Sequence, residues 1–226
     1  MKDKNKSVAT RSGLPWGAAL GAEILSAIQI PGGNLLTKYV DAYQERKRAE
    51  AHEVLLEEIT AGRHGPVDFE ADDIESFIAV TLRFAKAMEM GTAHENLRLL
   101  AQVIAGLKKN KALTADTFMR WAGVLEQMTR DELVTIGIAY KTFKAHQNDP
   151  RTEETGVWVH ILTGMLNAGY SEDDIAPLAS CVTRYGLLSL YTGYGGVAGY
   201  EPTSWLMELG ELADLELVMP EASNER

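Results

Sequence analysis

The sequence predicts a mainly α protein, a multi-helix N-terminal bundle followed by a smaller α+β module with one β-hairpin. Three observations carry this. Apolar residues recur at i, i+3 and i+4 through most of the chain. Cap-forming Ser, Thr and Asp residues and Gly or Pro breaks punctuate those runs at helix-length intervals. Only residues 186–203, GLLSLYTGYGGVAGYEPT, pair two short apolar and aromatic runs across a glycine-rich tip.

The first element needs care because it is nearly uncharged. Lys2, Lys4, Lys6 and Arg11 precede GLPWGAALGAEILSAIQIPGG. A spanning helix needs about 20 mainly apolar residues, and Pro15 with Pro31-Gly32-Gly33 leaves fewer. Glu23 sits in the middle, where a carboxylate costs about 2.5–3.5 kcal/mol on insertion scales. The same glutamate breaks a signal-peptide core, and no small-x-small cleavage site follows. The expectation for residues 1–33 is a basic leader plus a short amphipathic helix. In it Trp16, Leu20, Ile24 and Ile28 recur every fourth residue, to dock on the body or to lie at a membrane surface.

Residues 34–147 read as a helical body. One long helix runs through 34–61, and its Arg46-Lys47-Arg48 lies among acids as a solvated face with i,i+4 pairs. GRHGPVD at 62–68 is a loop. A helix from Asp72 or Asp73 presents Ile74, Phe77, Ile78, Leu82 and Ala85 on one side. Thr92-Ala93-His94-Glu95 fits a capping box before a helix carrying Leu97, Leu100, Ala101, Ile104 and Leu107. Its closing Lys108 and Lys109 suit the negative end of the helix dipole. Thr114 caps a helix with Phe118, Trp121, Ala122 and Leu125 inward. Thr129-Arg130-Asp131-Glu132 is a second capping box, opening a helix to about His146. HQNDPRTEE at 146–154 is polar, holds Pro150 and marks the boundary between modules.

Residues 148–226 form the acidic module. Trp158, Ile161, Leu162 and Met165 cluster on a helix ending at Gly169. Ser171 caps a second, whose first turn is Glu172-Asp173-Asp174 and whose apolar face carries Ile175, Leu178, Ala179, Val182 and Cys181. Hairpin arms at 187–192 and 197–200 meet through Gly193-Tyr194-Gly195-Gly196, where glycines permit the positive φ of tight turns. Thr203 caps a last helix with Trp205, Leu206, Leu209 and Leu212. This order, together with Arg-Tyr-Gly-Leu-Leu at 184–188, resembles the helix-to-wing junction of the winged-helix family. The resemblance covers the last third of the chain. It implies a module whose second helix enters a DNA groove in DNA-binding relatives, with basic wing residues on the backbone.

Charge argues against that use. The chain carries −10 overall, and from Arg151 onward three basic residues face twelve acids, a net −9. A DNA reader neutralises about 6–10 phosphates, and here the second helix opens with three acids while residues 187–200 carry no charge. Tyr191, Tyr194 and Tyr200 then suit packing on the helices or contact with another protein.

Catalytic signals are absent from the local sequence. His52, His64, His94, His146 and His160 show no HExxH or Glu-x-x-His spacing. Cys181, the one cysteine, forms no internal disulfide. Gly193-x-Gly195-Gly196 lacks the lysine and strand–loop–helix context of a phosphate loop. At 226 residues with 46% hydrophobic and 24% charged content, the chain has the composition of an ordinary globular protein. The reading is therefore a non-enzymatic interaction protein of the cytoplasm with no cofactor or metal, its partner another protein or a second copy. Two alternatives stand beside it. One is a peripheral membrane protein using Trp16, Leu20, Ile24 and Ile28; the other is a transcription regulator reaching DNA through Arg46-Lys47-Arg48.

Overall fold

A computed structural model describes residues 35–67, 74–89, 92–147, 156–192 and 198–218. Trp16, Leu20, Ile24, Ile28, the proposed helix start at Asp72 or Asp73, the boundary segment 148–155 and the hairpin tip with Tyr194 lie outside those residues. Among the described residues the protein is mainly helical with one two-stranded antiparallel sheet near the C-terminus, as expected. The helices are α1 (Leu35–Ala61), α2 (Ile74–Glu89), α3 (His94–Lys109), α4 (Ala115–Leu125) and α5 (Arg130–His146). There follow α6 (Trp158–Asn167), α7 (Glu172–Thr183), the strands β1 (Leu188–Thr192) and β2 (Ala198–Pro202), and α8 (Ser204–Leu212).

The N-terminal bundle is built around α3. Every residue from Asn96 to Leu107 except Arg98 is buried, and α1, α2, α4 and α8 all pack on this helix. α1 runs parallel to it: Glu50 meets His94, Glu58 meets Arg98 and Gln102, and the His64 carbonyl accepts from Lys109 Nζ. Two polar side chains buried with α3 tie it to other elements. Asn96 Nδ2 donates to the Leu125 and Met128 carbonyls at 2.6 and 2.9 Å, closing the C-terminal end of α4. Gln102 donates to buried Glu58 at 3.2 Å and accepts from the Asp214 amide at 2.7 Å.

α5 plays the corresponding part in the C-terminal module, where α6, α7, α8 and β2 pack against it. The capping box at its start is present. Thr129 Oγ1 accepts from the Glu132 amide, and the Glu132 carboxylate accepts from the Thr129 amide. The other Glu132 oxygen accepts from Arg184 at 2.8 Å, so one buried carboxylate both starts α5 and holds the end of α7. A single apolar cluster runs from Ala51 to Val218.

Three local expectations fail, each for an identifiable reason. Thr92 forms no capping box. Ala93 occupies the cap position without a side-chain bond, His94 turns to Glu50, and Glu95 pairs with Arg130. Leu82 is exposed because it lies five residues from Phe77, about 140° around the helix from it; the buried stripe is Phe77, Val80, Thr81, Phe84 and Met88. Cys181 is exposed, two residues on from buried Ala179 and therefore on the opposite side of α7. Trp205 remains 42% exposed, edge-on to buried Trp121 at 6.5 Å, with the Arg120 guanidinium over both rings and paired with Glu208.

Asn96→Ala should lower the folding free energy by about 2–4 kcal/mol, since two buried carbonyls each lose a donor at roughly 1–3 kcal/mol. A fall in the urea midpoint at unchanged slope is the expected reading; an unmoved midpoint would show that those carbonyls are satisfied otherwise.

Candidate functional site

Between Gly156 and Tyr200, apart from His160, the chain carries only four acidic or basic side chains, Glu172, Asp173, Asp174 and Arg184. Arg184 is engaged by Glu132 and by the Tyr185 hydroxyl. The three acids sit in the first turn of α7, where the positive end of the helix dipole favours them. Ser171 holds the cap position there, and its hydroxyl donates to Asp174 at 2.6 Å rather than accepting from the helix backbone. The rest of α6, α7 and the hairpin presents an uncharged surface.

The hairpin is anchored at its base. Thr203 Oγ1 donates to the Gly186 carbonyl at 2.6 Å and accepts from the Leu206 amide, so the last turn before β1 and the first turn of α8 share one hydroxyl. Gly186 has φ +72° and lies against the Trp205 ring, a backbone position that a β-carbon would strain. In the strand register Leu188 pairs with Pro202, Leu190 with Tyr200, and Tyr191 with Gly199.

Of the three tyrosines singled out from sequence, two can be placed. Both are part-buried and packed on the core. Tyr200 lies edge-on to Trp158, centroids 5.0 Å apart at 60°. The Tyr191 ring crosses Gly199, and its hydroxyl reaches Gly156; a β-carbon at either glycine would fall within 3 Å of the ring or hydroxyl. These contacts hold Tyr191 and Tyr200, from opposite faces of the ribbon, at the start of α6. What the hairpin exposes is Leu190, 60% accessible and directly opposite Tyr200. Sequence reading missed it because Leu190 shares its face with Leu188 and Tyr200, and alternation does not say how far along that face the body reaches.

The histidines are dispersed. His64 Nε2 donates to the Leu212 carbonyl at 2.7 Å, so that nitrogen carries the hydrogen. His146 and His160 stack at 3.9 Å with planes 9° apart, tying the end of α5 to the start of α6. Among the described residues no group of three or more His, Cys, Asp or Glu is placed to hold a metal ion. No described helix is long and apolar enough to cross a membrane. Arg46 stacks over Tyr43, and Lys47 pairs with Glu50 at 2.9 Å. No protein-family model, curated protein or solved structure matches the chain.

Two ionisable groups are displaced near this surface and on α4. Tyr170, in the turn between α6 and α7, donates to Asp131 at 2.9 Å. Burial first, then that hydrogen bond and the Asp131 charge, push its hydroxyl up to about 12. Glu126, at the end of α4, is raised by burial against the opposing charges of Arg83 and Lys86. Because Tyr170 keeps its proton longer folded than unfolded, its contribution is complete below pH 10 and is lost as pH rises from 10 to about 12. Tyr170→Phe should therefore flatten the alkaline loss of stability across that window. Identical pH profiles of the urea midpoint for the two proteins would rule this out.

Proposed function

We propose that the protein is a non-enzymatic interaction protein whose uncharged hairpin docks another protein. The carrying observation is Leu190. It is the most exposed large apolar side chain among the described residues, and it projects from a hairpin with no charge between 187 and 200. Interface centres are depleted of charge and enriched in aromatic residues, and Leu190 shares its face of the ribbon with the cross-strand neighbour Tyr200. Tyr191 and Tyr200 serve this reading as supports, and Tyr194 belongs to the proposed site by sequence alone. The −9 charge of residues 151–226 disfavours nucleic acid as the partner.

Leu190→Asp in the full chain should weaken capture of the partner from a source-cell lysate, or self-association in sedimentation, by about tenfold or more, the effect expected of a buried contact residue. Tyr191→Phe should leave both unchanged. A folded Leu190→Asp protein that associates as before would remove the hairpin from the contact.

A further inference from the structure

The strand register shows which main-chain groups of β1 have no partner in the hairpin. The Thr203 amide donates to the Leu187 carbonyl at 3.1 Å, one step ahead of the Leu188–Pro202 pair. Antiparallel ladders alternate bonded and non-bonded pairs, so Leu187, Ser189 and Tyr191 bond inward, to Thr203, Glu201 and Gly199. The amides and carbonyls of Leu188, Leu190 and Thr192 therefore point outward, away from β2. Leu188 is buried, whereas Leu190 and Thr192 are exposed. Among the described residues, nothing outside the hairpin bonds to the main chain of Leu190 or Thr192.

The two edges of the ribbon are guarded differently. Proteins protect sheet edges with proline, with charge or by covering them, and β2 has all three. Pro202 places a residue without an amide hydrogen at an outward position, and Glu201 precedes it. The start of α6 borders this edge, since Tyr191 reaches across Gly199 to Gly156 on one face and Tyr200 meets Trp158 on the other. β1, LSLYT, has neither proline nor charge. Its exposed edge is also self-complementary. With a twofold axis at Tyr191, Leu190 of each copy lies opposite Thr192 of the other, and the two pairs exchange four main-chain hydrogen bonds. Although each chain carries −10, residues 187–200 carry no charge, so two such edges meet without like-charge contact. The Glu201 side chains of the two copies would stand three strand spacings apart, about 14 Å, beyond the screening length of about 8 Å at physiological salt. Glu172 lies about 16 Å along α7 from Thr183, the end that leads into β1.

We infer that β1 pairs along this edge with β1 of a second copy, joining two hairpins into one four-stranded antiparallel sheet. This rests on the hairpin being the contact, and adds which partner it takes and how the partner is held. In the full chain, taken from low micromolar to near-millimolar concentration, sedimentation should show a reversible monomer–dimer equilibrium. Over the same range the Leu190 and Thr192 amides should gain about tenfold or more protection from exchange. Those of Ser189 and Tyr191, already bonded to β2, should not change. Thr192→Pro deletes an outward donor from each copy at a position where an edge strand accepts proline, and should weaken the dimer by about tenfold. The exchange measurement needs no substitution, and it decides the matter alone if the proline variant does not fold. A dimer whose Leu190 and Thr192 amides stay unprotected overturns the inference, as does one that a folded Thr192→Pro protein forms equally well. A protein monomeric at every concentration overturns it too, while loss of lysate capture by Leu190→Asp would then still leave the hairpin as the docking site for a different protein.

Discussion

From Asn96 to Leu107, α3 withdraws every side chain but one from water, and such a helix holds its place only while neighbours enclose it. Each fully buried leucine or isoleucine contributes roughly 1.5–3 kcal/mol to that enclosure, and α3 alone supplies Leu97, Leu99, Leu100, Ile104 and Leu107. Its two buried amides convert this non-directional attraction into a specific geometry. Asn96 fixes where α4 ends, and Gln102 fixes Glu58 of α1 and the chain after α8 in one network. A slip of α3 by one residue would orphan all of these groups at once.

Charge works differently in the two halves. In the bundle, acids and bases meet across helices: Glu58 with Arg98, Arg83 with Glu126, Glu95 with Arg130. Most are partly solvated and individually worth little, but Glu58 and Glu132 are buried and their partners are needed. In the C-terminal module the stretch between Gly156 and Tyr200 is almost without charge, while nine acids of residues 151–226 fall before or after it in sequence.

Where structure is set by neighbours in sequence, the chain was readable. The caps at Thr114, Thr129 and Thr203 appear as their local patterns indicate, and the hairpin forms within two residues of the expected limits. Distant partners decided the rest. Thr92-Ala93-His94-Glu95 has the spacing of a capping box, but Glu50 and Arg130 claim His94 and Glu95 from 44 and 35 residues away. The tyrosines of the hairpin were visible as aromatic residues near a turn. That Tyr191 and Tyr200 face Gly156 and Trp158, leaving Leu190 outside, depends on how the ribbon sits on α6. No local pattern encodes that placement.

The residues that hold α8 come from the far end of the chain. Arg63 donates to the Gly210 carbonyl and His64 to the Leu212 carbonyl, across 147 and 148 residues. Gln102 reaches the Asp214 amide across 112. Gly210 also takes the Tyr140 ring so closely that no β-carbon fits there. During synthesis, therefore, the bundle emerges with the loop after α1 and one side of α3 still uncovered, and its core closes only once residues 206–218 have left the ribosome. Local helices can form early, but the last step spans most of the chain. Separations of this size raise contact order and slow folding relative to a bundle of the same helices joined only to their neighbours.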